Sequence, residues 1–563
     1  MKQKQTSLIL FSIICLLSSQ SVFSQKISLE IITNSKTEDS LISEHFPNNE
    51  FHSLIAINEE ITLIKNKLYL EGYFQHKFYN LKKISKKHYS IEFLSRQRTK
   101  QITLYIHDKK TLEHLKYLNH KISKNSIEIP PKEISQTLAK LSENEAETGQ
   151  PLTTFKIINI STSTKTTFAE LQVKRKENRD FTNINIKGYT KFPRSFVKHY
   201  AKLKTPVLFQ KNKILDKTKT LEELDFANFT KTPELQFKKD STSLYLYIEK
   251  KNANIFEGFL GFGSNTDESK LRLDGYLNLD LVNNFNYGEQ INLTYKSNGD
   301  NQQALDLNTS LPYLCKSPIS ISAGLNIFRQ DSTFSNTAQF LETSLNITAN
   351  TSISTSLKLE QSTTPQNQTD NTAEAYKKQI YSATFNYSKT KNSTLKNQPT
   401  FLRFTAGSGF RKTETQKTTN QFIANLNAAY TFDISQKHSF YIKSETALLE
   451  SKNYLNNELF RFGGMNNIRG FKENSLIANL YATLQTEYRY SPSPKIYINT
   501  ILDAAYYENN LNNQEDILYS FGLGTSLLTN AGILKLNLVN GIQNNQRFKL
   551  PNSILHLTLI AKF

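Results

Sequence analysis

The stretch LRLDGYLNLDLVNNFNYGEQINLTYKS, residues 271–297, sets Leu271, Leu273, Leu277, Leu279 and Leu281 against Arg272, Asp274, Asn278 and Asp280, and repeats the alternation at Ile291, Leu293 and Tyr295. A period of two is the mark of a strand with one apolar and one polar face. The pattern recurs at Leu305, Leu307 and Leu311, and about sixteen such segments follow Ile255, one every ~19 to 20 residues, which suits strands of ~10 residues joined by polar connections. The last segment points Leu555, Leu557, Leu559, Ala561 and Phe563 one way and His556, Thr558 and Lys562 the other. In a soluble sandwich the apolar faces would meet a second sheet, but the charged faces would then need a place of their own. A transmembrane antiparallel β-barrel over residues 251–563 satisfies both, with an apolar exterior and a polar lumen. Its first strand carries Gly258, Gly261 and Gly263, which thin the side-chain packing where that strand must pair with the last one to close the barrel.

Composition agrees with a barrel. Of 563 residues, 27 are Tyr, 36 Phe and none Trp, with only 19 Gly and 14 Pro, so a collagenous or disordered chain is excluded. The mean hydropathy is −0.49, and no run beyond the first twenty residues approaches the ~18 apolar residues of a spanning helix. Alternating strands average to a polar sequence, so this does not count against a barrel.

The N-terminus has the layout of a secretory signal peptide over residues 1–24: Lys2 and Lys4, an apolar run from Leu8 to Leu17, then small and polar residues to Ser24. Cys15 lies inside the apolar run behind Ile14, where a lipidation site would have a small residue. Removal of the leader leaves Cys315 alone, and no internal disulfide framework is possible. Residues 25–250 hold 39 Lys and Arg against 26 Asp and Glu, a net of +13, whereas residues 251–563 hold 28 against 24. Export argues against nucleic acid as a partner; solvated surface, anionic headgroups and acidic client segments remain. Eight of the ten His lie before residue 250 as scattered single residues without metal-ligand spacing, so no metal is expected.

Before residue 251 helical and strand patterns alternate. Phe51 to Leu70 places Leu54, Ile55, Ile57, Ile61, Ile64 and Leu68 near helical period, ahead of strand-like runs at 89–94 and 101–107. A second helix fits Lys132 to Ala146, with strands at 155–160 and 168–174. A third unit starts with the strand Thr182 to Lys187, turns at Gly188, runs helical from Arg194 to Leu203 and closes at Leu244 to Ile248. Three α+β modules are expected, at 25–107, 108–178 and 179–250, each with helices on one face of a small sheet.

Residues 459–471 read LFRFGGMNNIRGF, in a long polar connection between the strands 438–449 and 476–490. With Gly463 and Gly464 ahead of Ile468-Arg469-Gly470-Phe471, this connection resembles the BamA/TamA superfamily of outer-membrane assembly factors. Members carry soluble POTRA modules ahead of a sixteen-stranded barrel, and their sixth outer loop folds into the lumen with a Val/Ile-Arg-Gly-Tyr/Phe tip. The motif here follows the eleventh barrel strand, where the family places it. The third module, through NINIKGYTKFPRSFVKHY at 183–200, is similar to the POTRA module next to the barrel. Three modules and this length are TamA-like.

An Arg held in a lumen needs carboxylate partners. If Leu480, Ala482, Leu484 and Tyr488 face lipid, Glu487 points inward; if Ile496, Ile498, Leu502 and Ala504 do, so does Asp503. The resemblance assigns the same partners: the family pairs its loop Arg with a Glu on strand twelve and with the Asp of an F-x-D-x-G motif on strand thirteen, here Ile501, Asp503 and Ala505. It also implies that Phe563 is the terminal aromatic recognised during barrel assembly.

No G-x-S-x-G, H-E-x-x-H or phosphate-binding loop lies in a suitable context, and Gly261 and Gly263 sit in a strand, so neither catalysis nor a cofactor is expected. The resemblance implies a non-enzymatic factor in the bacterial outer membrane. Its periplasmic modules would capture unfolded outer-membrane or secreted proteins, and its barrel would insert them, with outer-membrane lipids as a further partner and accessory lipoproteins left open. The alternative is a two-partner secretion pore, which shares the loop motif but carries two modules and a plug helix; no plug helix is evident between Gln25 and Asn49. A passive porin fits the three modules least.

Overall fold

A strand with one apolar face must bury it against protein or lipid, and this chain does each in turn. The computed structural model describes residues 26–46, 49–116, 121–163, 166–264, 271–297, 302–330, 333–365, 373–389, 395, 400–415, 418–543 and 553–562. The expected leader and Phe563 lie outside the described residues.

In the first module, strands Glu50–Phe51, Ile27–Ile32, His88–Leu94 and Lys77–Lys83 lie side by side in that order. Helix Leu54–Glu71 buries Ile57 and Ile61 with Leu29 and Ile91, and Ile64 and Leu68 with Phe93. The segment between Gln25 and Asn49, expected to hold no plug helix, carries the helix Lys36–His45. Its Ile42 packs with Ile64, Leu68 and Phe93, so it is part of the module's core and not a plug.

The strand at 101–107, expected to end the first module, belongs instead to the second. Ile102–Ile106 is the middle strand of a five-stranded sheet, between Ser126–Ile129 and Thr167–Lys174, and runs parallel to the latter. Its Ile102, Leu104 and Ile106 share a core with Leu115, Ile127, Leu141 and Leu171. The parallel partner is far along the chain, so local periodicity could not assign the strand.

In the third module strands Asn183–Gly188, Thr242–Lys250 and Ala227–Phe237 form a sheet in that order, the first two parallel. The helix expected over 194–203 narrows to a five-residue π-turn, Phe196–Tyr200, closed by Ala201 N–H donating to Phe196 O at 2.9 Å. This turn meets the adjacent end of the barrel. The Phe196 ring packs edge-on to Tyr313 at 5.0 Å, His199 Nε2 donates to Lys316 O at 2.6 Å, and the Tyr189 hydroxyl bonds both Asn283 and Asn286.

Sixteen described strands, from Ile255–Ser264 to Ile554–Lys562, close an antiparallel barrel. Its polarity is the reverse of a soluble protein's. Leu502, Leu523, Leu555 and Leu557 are 57–65% exposed on the outside, while Arg489, Asn499, Asp503 and Ser520 are buried within. An apolar exterior of this extent is stable only against lipid, so the barrel spans a membrane.

Closure is uneven around the ring. The eighth and ninth strands, Tyr376–Lys389 and Thr400–Thr413, pair continuously from Tyr376↔Thr413 to Lys389↔Thr400. Among the described residues the first and last strands pair only at Ile255↔Lys562, Phe256↔Ala561 and Glu257↔Ile560. Pairing stops at Gly258, whose φ is +141°, and a Cβ there would lie 2.1 Å from Tyr276 O. Among the described residues Gly261 and Gly263 pair only with the second strand, at Asp274 and Arg272.

Candidate functional site

The connection after the eleventh strand, His438–Ser451, turns into the lumen as a short hairpin of strands Phe460–Phe462 and Leu476–Ala478. It enters because its apolar side chains find an apolar wall. Phe462 stacks on Tyr481 with ring centroids 4.6 Å apart and, with the fully buried Ile468, joins Ala447, Ala505, Tyr507 and Leu518. Phe471 packs on the same cluster. Gly463, Gly464 and Gly470 all have positive φ, which bends the tip back on itself.

At the tip Arg469 is 3% exposed. Its Nε and Nη2 donate to Asp503 Oδ2 and Oδ1 at 2.8 and 2.6 Å, a bidentate fork, and its own backbone N–H donates to Oδ2 at 3.2 Å. Nη1 donates to Glu487 Oε1. Asp503 lies on the thirteenth strand, Ile496–Asn509, and Glu487 on the twelfth, Leu480–Ser493, both facing inward. The structure therefore brings together Arg469, Glu487 and Asp503, and Ile501 and Ala505 beside Asp503 are buried.

Two further features were not picked out from the sequence. Arg489 donates through Nε and Nη2 to Glu487 Oε2, at 2.7 and 2.6 Å, and lies over the Tyr441 ring at 4.3 Å. The alternation that turned Glu487 inward turns Arg489 inward too, two residues on, so the signal was present. With it the cluster holds two cations and two carboxylates in alternation and is electrically balanced, which a buried site requires. The second feature is Gly541 on the fifteenth strand, Gly532–Gln543. A Cβ on Gly470 would lie 2.6 Å from Gly541 N, and one on Gly541 would lie 2.5 Å from Gly470 O, so the loop and the wall touch backbone to backbone.

The base of the connection is held as firmly at another part of the wall. Glu458, buried, accepts from Arg411 Nη1 on the ninth strand and from Gln421 Nε2 on the tenth at 2.8 Å. Asn457 Nδ2 donates to Ser362 Oγ on the seventh at 2.7 Å. Glu473 pairs with Lys296 on the third strand at 2.7 Å, and Thr558 on the last strand donates to Met465 Sδ at 3.3 Å. The loop thus braces the lumen from several sides. Nothing in this set resembles a nucleophile with a base. Its chemistry is that of an ion-paired fastener. Gly258, Gly261 and Gly263 lie apart, on the first strand at the seam.

No family model and no curated protein matches this sequence. Among solved structures, BamA from Haemophilus ducreyi lacking POTRA domains 1–3 is similar at 13% identity and a TM-score of 0.51, covering 81% of this chain and 98% of that one. CdiB from Acinetobacter baumannii (13% identity, TM-score 0.47, 95% of this chain and 100% of that one) and CdiB from Escherichia coli (10%, 0.48, 94% and 100%) also match. The likeness is one of fold: a sixteen-stranded antiparallel barrel behind α+β modules, similar to that BamA structure.

Proposed function

We propose that this chain is a non-enzymatic outer-membrane factor whose modules receive unfolded proteins in the periplasm and whose barrel inserts them into the membrane through its seam. The observation that carries the reading is the contrast between a seam that pairs at three positions among the described residues and a lumen loop fastened at several walls. The loop holds the barrel's shape while the first and last strands separate. Separation breaks few main-chain bonds and leaves strand edges to which a client strand can pair. Lipids would contact the opened edge, and accessory lipoproteins could dock on the modules.

The test is a cross-link. In a Cys315→Ser background, Phe256→Cys with Ala561→Cys joins directly paired positions across the seam, and Ala383→Cys with Ala406→Cys joins paired positions of the eighth and ninth strands. The seam cross-link should abolish insertion of other barrels, restored by reductant, while the wall cross-link leaves it intact. A harmless seam cross-link would argue for transport through the lumen. Depletion separates the same readings: broad loss of outer-membrane barrels supports insertion, and loss of one large secreted protein with barrels intact supports two-partner export.

A further inference from the structure

Between the lumen loop and the wall of the fourth to eleventh strands lies a chamber of about 700 Å³. The carboxylates that border it all have donors: Glu360 accepts from Lys358 and Tyr376, Glu458 from Arg411 and Gln421, Glu342 from Arg403, Glu445 from Tyr481 and Asp306 from Asn326. Two of its cations have no such partner. Lys378, on the eighth strand, is 9% exposed and makes no hydrogen bond or ion pair among the described residues. Glu360 stands opposite it in register but is taken by Lys358 and Tyr376. Arg461, on the loop strand Phe460–Phe462, sets its guanidinium 5.4 Å from the ring centres of both Phe328 and Phe334 and has no carboxylate partner among the described residues. A second cavity, of about 480 Å³, shares Glu342, Thr384 and Arg403 with the chamber and reaches Tyr313 and Phe196, which gives the chamber an entrance from the end where the third module meets the barrel.

We propose that this chamber is a binding site for a small acidic saccharide, whose carboxylate or phosphate groups pair with Lys378 and Arg461. An enclosed cation without a counter-charge is unfavourable, and an arriving anion relieves it. The chamber's other cations, Lys358 and Arg403, are already paired, so the two lone ones are where an anion gains most. The volume suits a small organic molecule. The remaining lining selects its body. Asn326, Asn425, Ser356 and Ser382 offer amides and hydroxyls to sugar hydroxyls, and the ring of Phe340, seated on Gly324, offers an apolar surface to the C–H face of a sugar ring. A fatty acid would meet these polar walls along its whole chain and leave them unpaired. The site is independent of whether the barrel inserts or exports clients.

The test is calorimetric titration of the full chain in phosphatidylcholine nanodiscs. Digalacturonic acid supplies a dicarboxylate saccharide and glucose 1,6-bisphosphate a phosphorylated one, each set against its neutral counterpart, galactobiose or glucose. At least one of the two acidic sugars should bind roughly tenfold or more tightly than its neutral form, the gain expected of charge-assisted contacts in an enclosed site; which of them does so tells a sugar acid from a sugar phosphate. Inorganic phosphate and tetraglutamate are the controls. Either one binding as tightly as the acidic sugar overturns the proposal, because the chamber would then hold a bare ion or a peptide. Equal binding of acidic and neutral sugars, or no binding of any, overturns it as well, and these comparisons need no variant. Lys378→Met and Arg461→Gln should each reduce the preference for the acidic sugar and leave the neutral one unchanged. Neither residue is in an ion pair, so neither change strands a carboxylate, and heat-modifiability on gels checks that the barrel has folded. A folded double variant with its preference intact would place the sugar elsewhere and overturn the site.

Discussion

The molecule uses one arrangement twice, in the lumen and in the second module. In the lumen Asp503, Arg469, Glu487 and Arg489 follow one another by ion pairs; in the module Asp108, Arg175, Glu145 and Lys110 do the same. Each central Arg forks onto an Asp, Arg175 at 2.5 and 2.7 Å, and shares a Glu with a second cation. The settings differ. The lumen side chains are at most 10% exposed, whereas Arg175, Asp108 and Lys110 are 23%, 29% and 39% exposed. Water competes for the second set and not for the first, so equal geometry does not mean equal energy. The module's cluster ties elements whose shared core already holds them, while the lumen's fastens a long connection to a wall.

The largest effect is expected at Arg469. Arg469→Ala strands two buried carboxylates beside Arg489 and should cost roughly 3 to 5 kcal/mol of loop seating. On the insertion reading proposed above, activity should fall sharply while the protein still reaches the membrane. Arg469→Lys should do nearly as badly, because an ammonium cannot reproduce the fork. Activity measured across Arg469→Ala, Asp503→Ala and the double variant should show the second change adding little to the first; additive losses would mean that the two sites act independently.

Arg175→Ala should cost less, about 2 kcal/mol, because Asp108 can turn to water and only Glu145 stays enclosed. Hydrogen exchange of amides 102–174 in the full chain would measure it. A loss as large as that at Arg469 would refute the argument from exposure. Lys110→Ala, at the exposed end of the chain of pairs, should cost ~0.5 kcal/mol or less by the same readout.

Acid should have the smallest effect. The Arg175 guanidinium holds the Asp108 carboxyl well below the ordinary carboxylate range. A depressed folded value means that the contribution is complete above the unfolded pKa of about 4 and is lost as pH falls toward the folded one. Exchange protection of the second module should therefore weaken between about pH 4 and pH 2, and Arg175→Ala should remove that slope. A slope that survives the substitution would place the titrating group elsewhere.

Much of the barrel could be read from the chain because alternation is local: each strand announces its two faces, and the parity that turned Leu502 to lipid turned Asp503 inward. The same parity contained Arg489, two residues after Glu487. Other features lack a local trace. Arg411 and Glu458 meet only because the ninth strand and the loop base share a rim. Helix Lys36–His45 has few apolar residues to set a period. Its start was nonetheless written in Ser35 and Glu38, the Ser35 side chain accepting from Glu38 N–H and the Glu38 side chain from Asn34 N–H.

The contact between Gly470 and Gly541 bears on the order in which the barrel is made. Side chains on the fifteenth strand alternate, so a slip of two residues would present Val539 or Gln543 to the loop in place of hydrogen. Neither leaves room for a backbone 2.6 Å from where the added carbon would stand. On this geometry the loop would seat only once that strand had taken its register, so a barrel misthreaded there would leave Arg469 unfastened from Asp503.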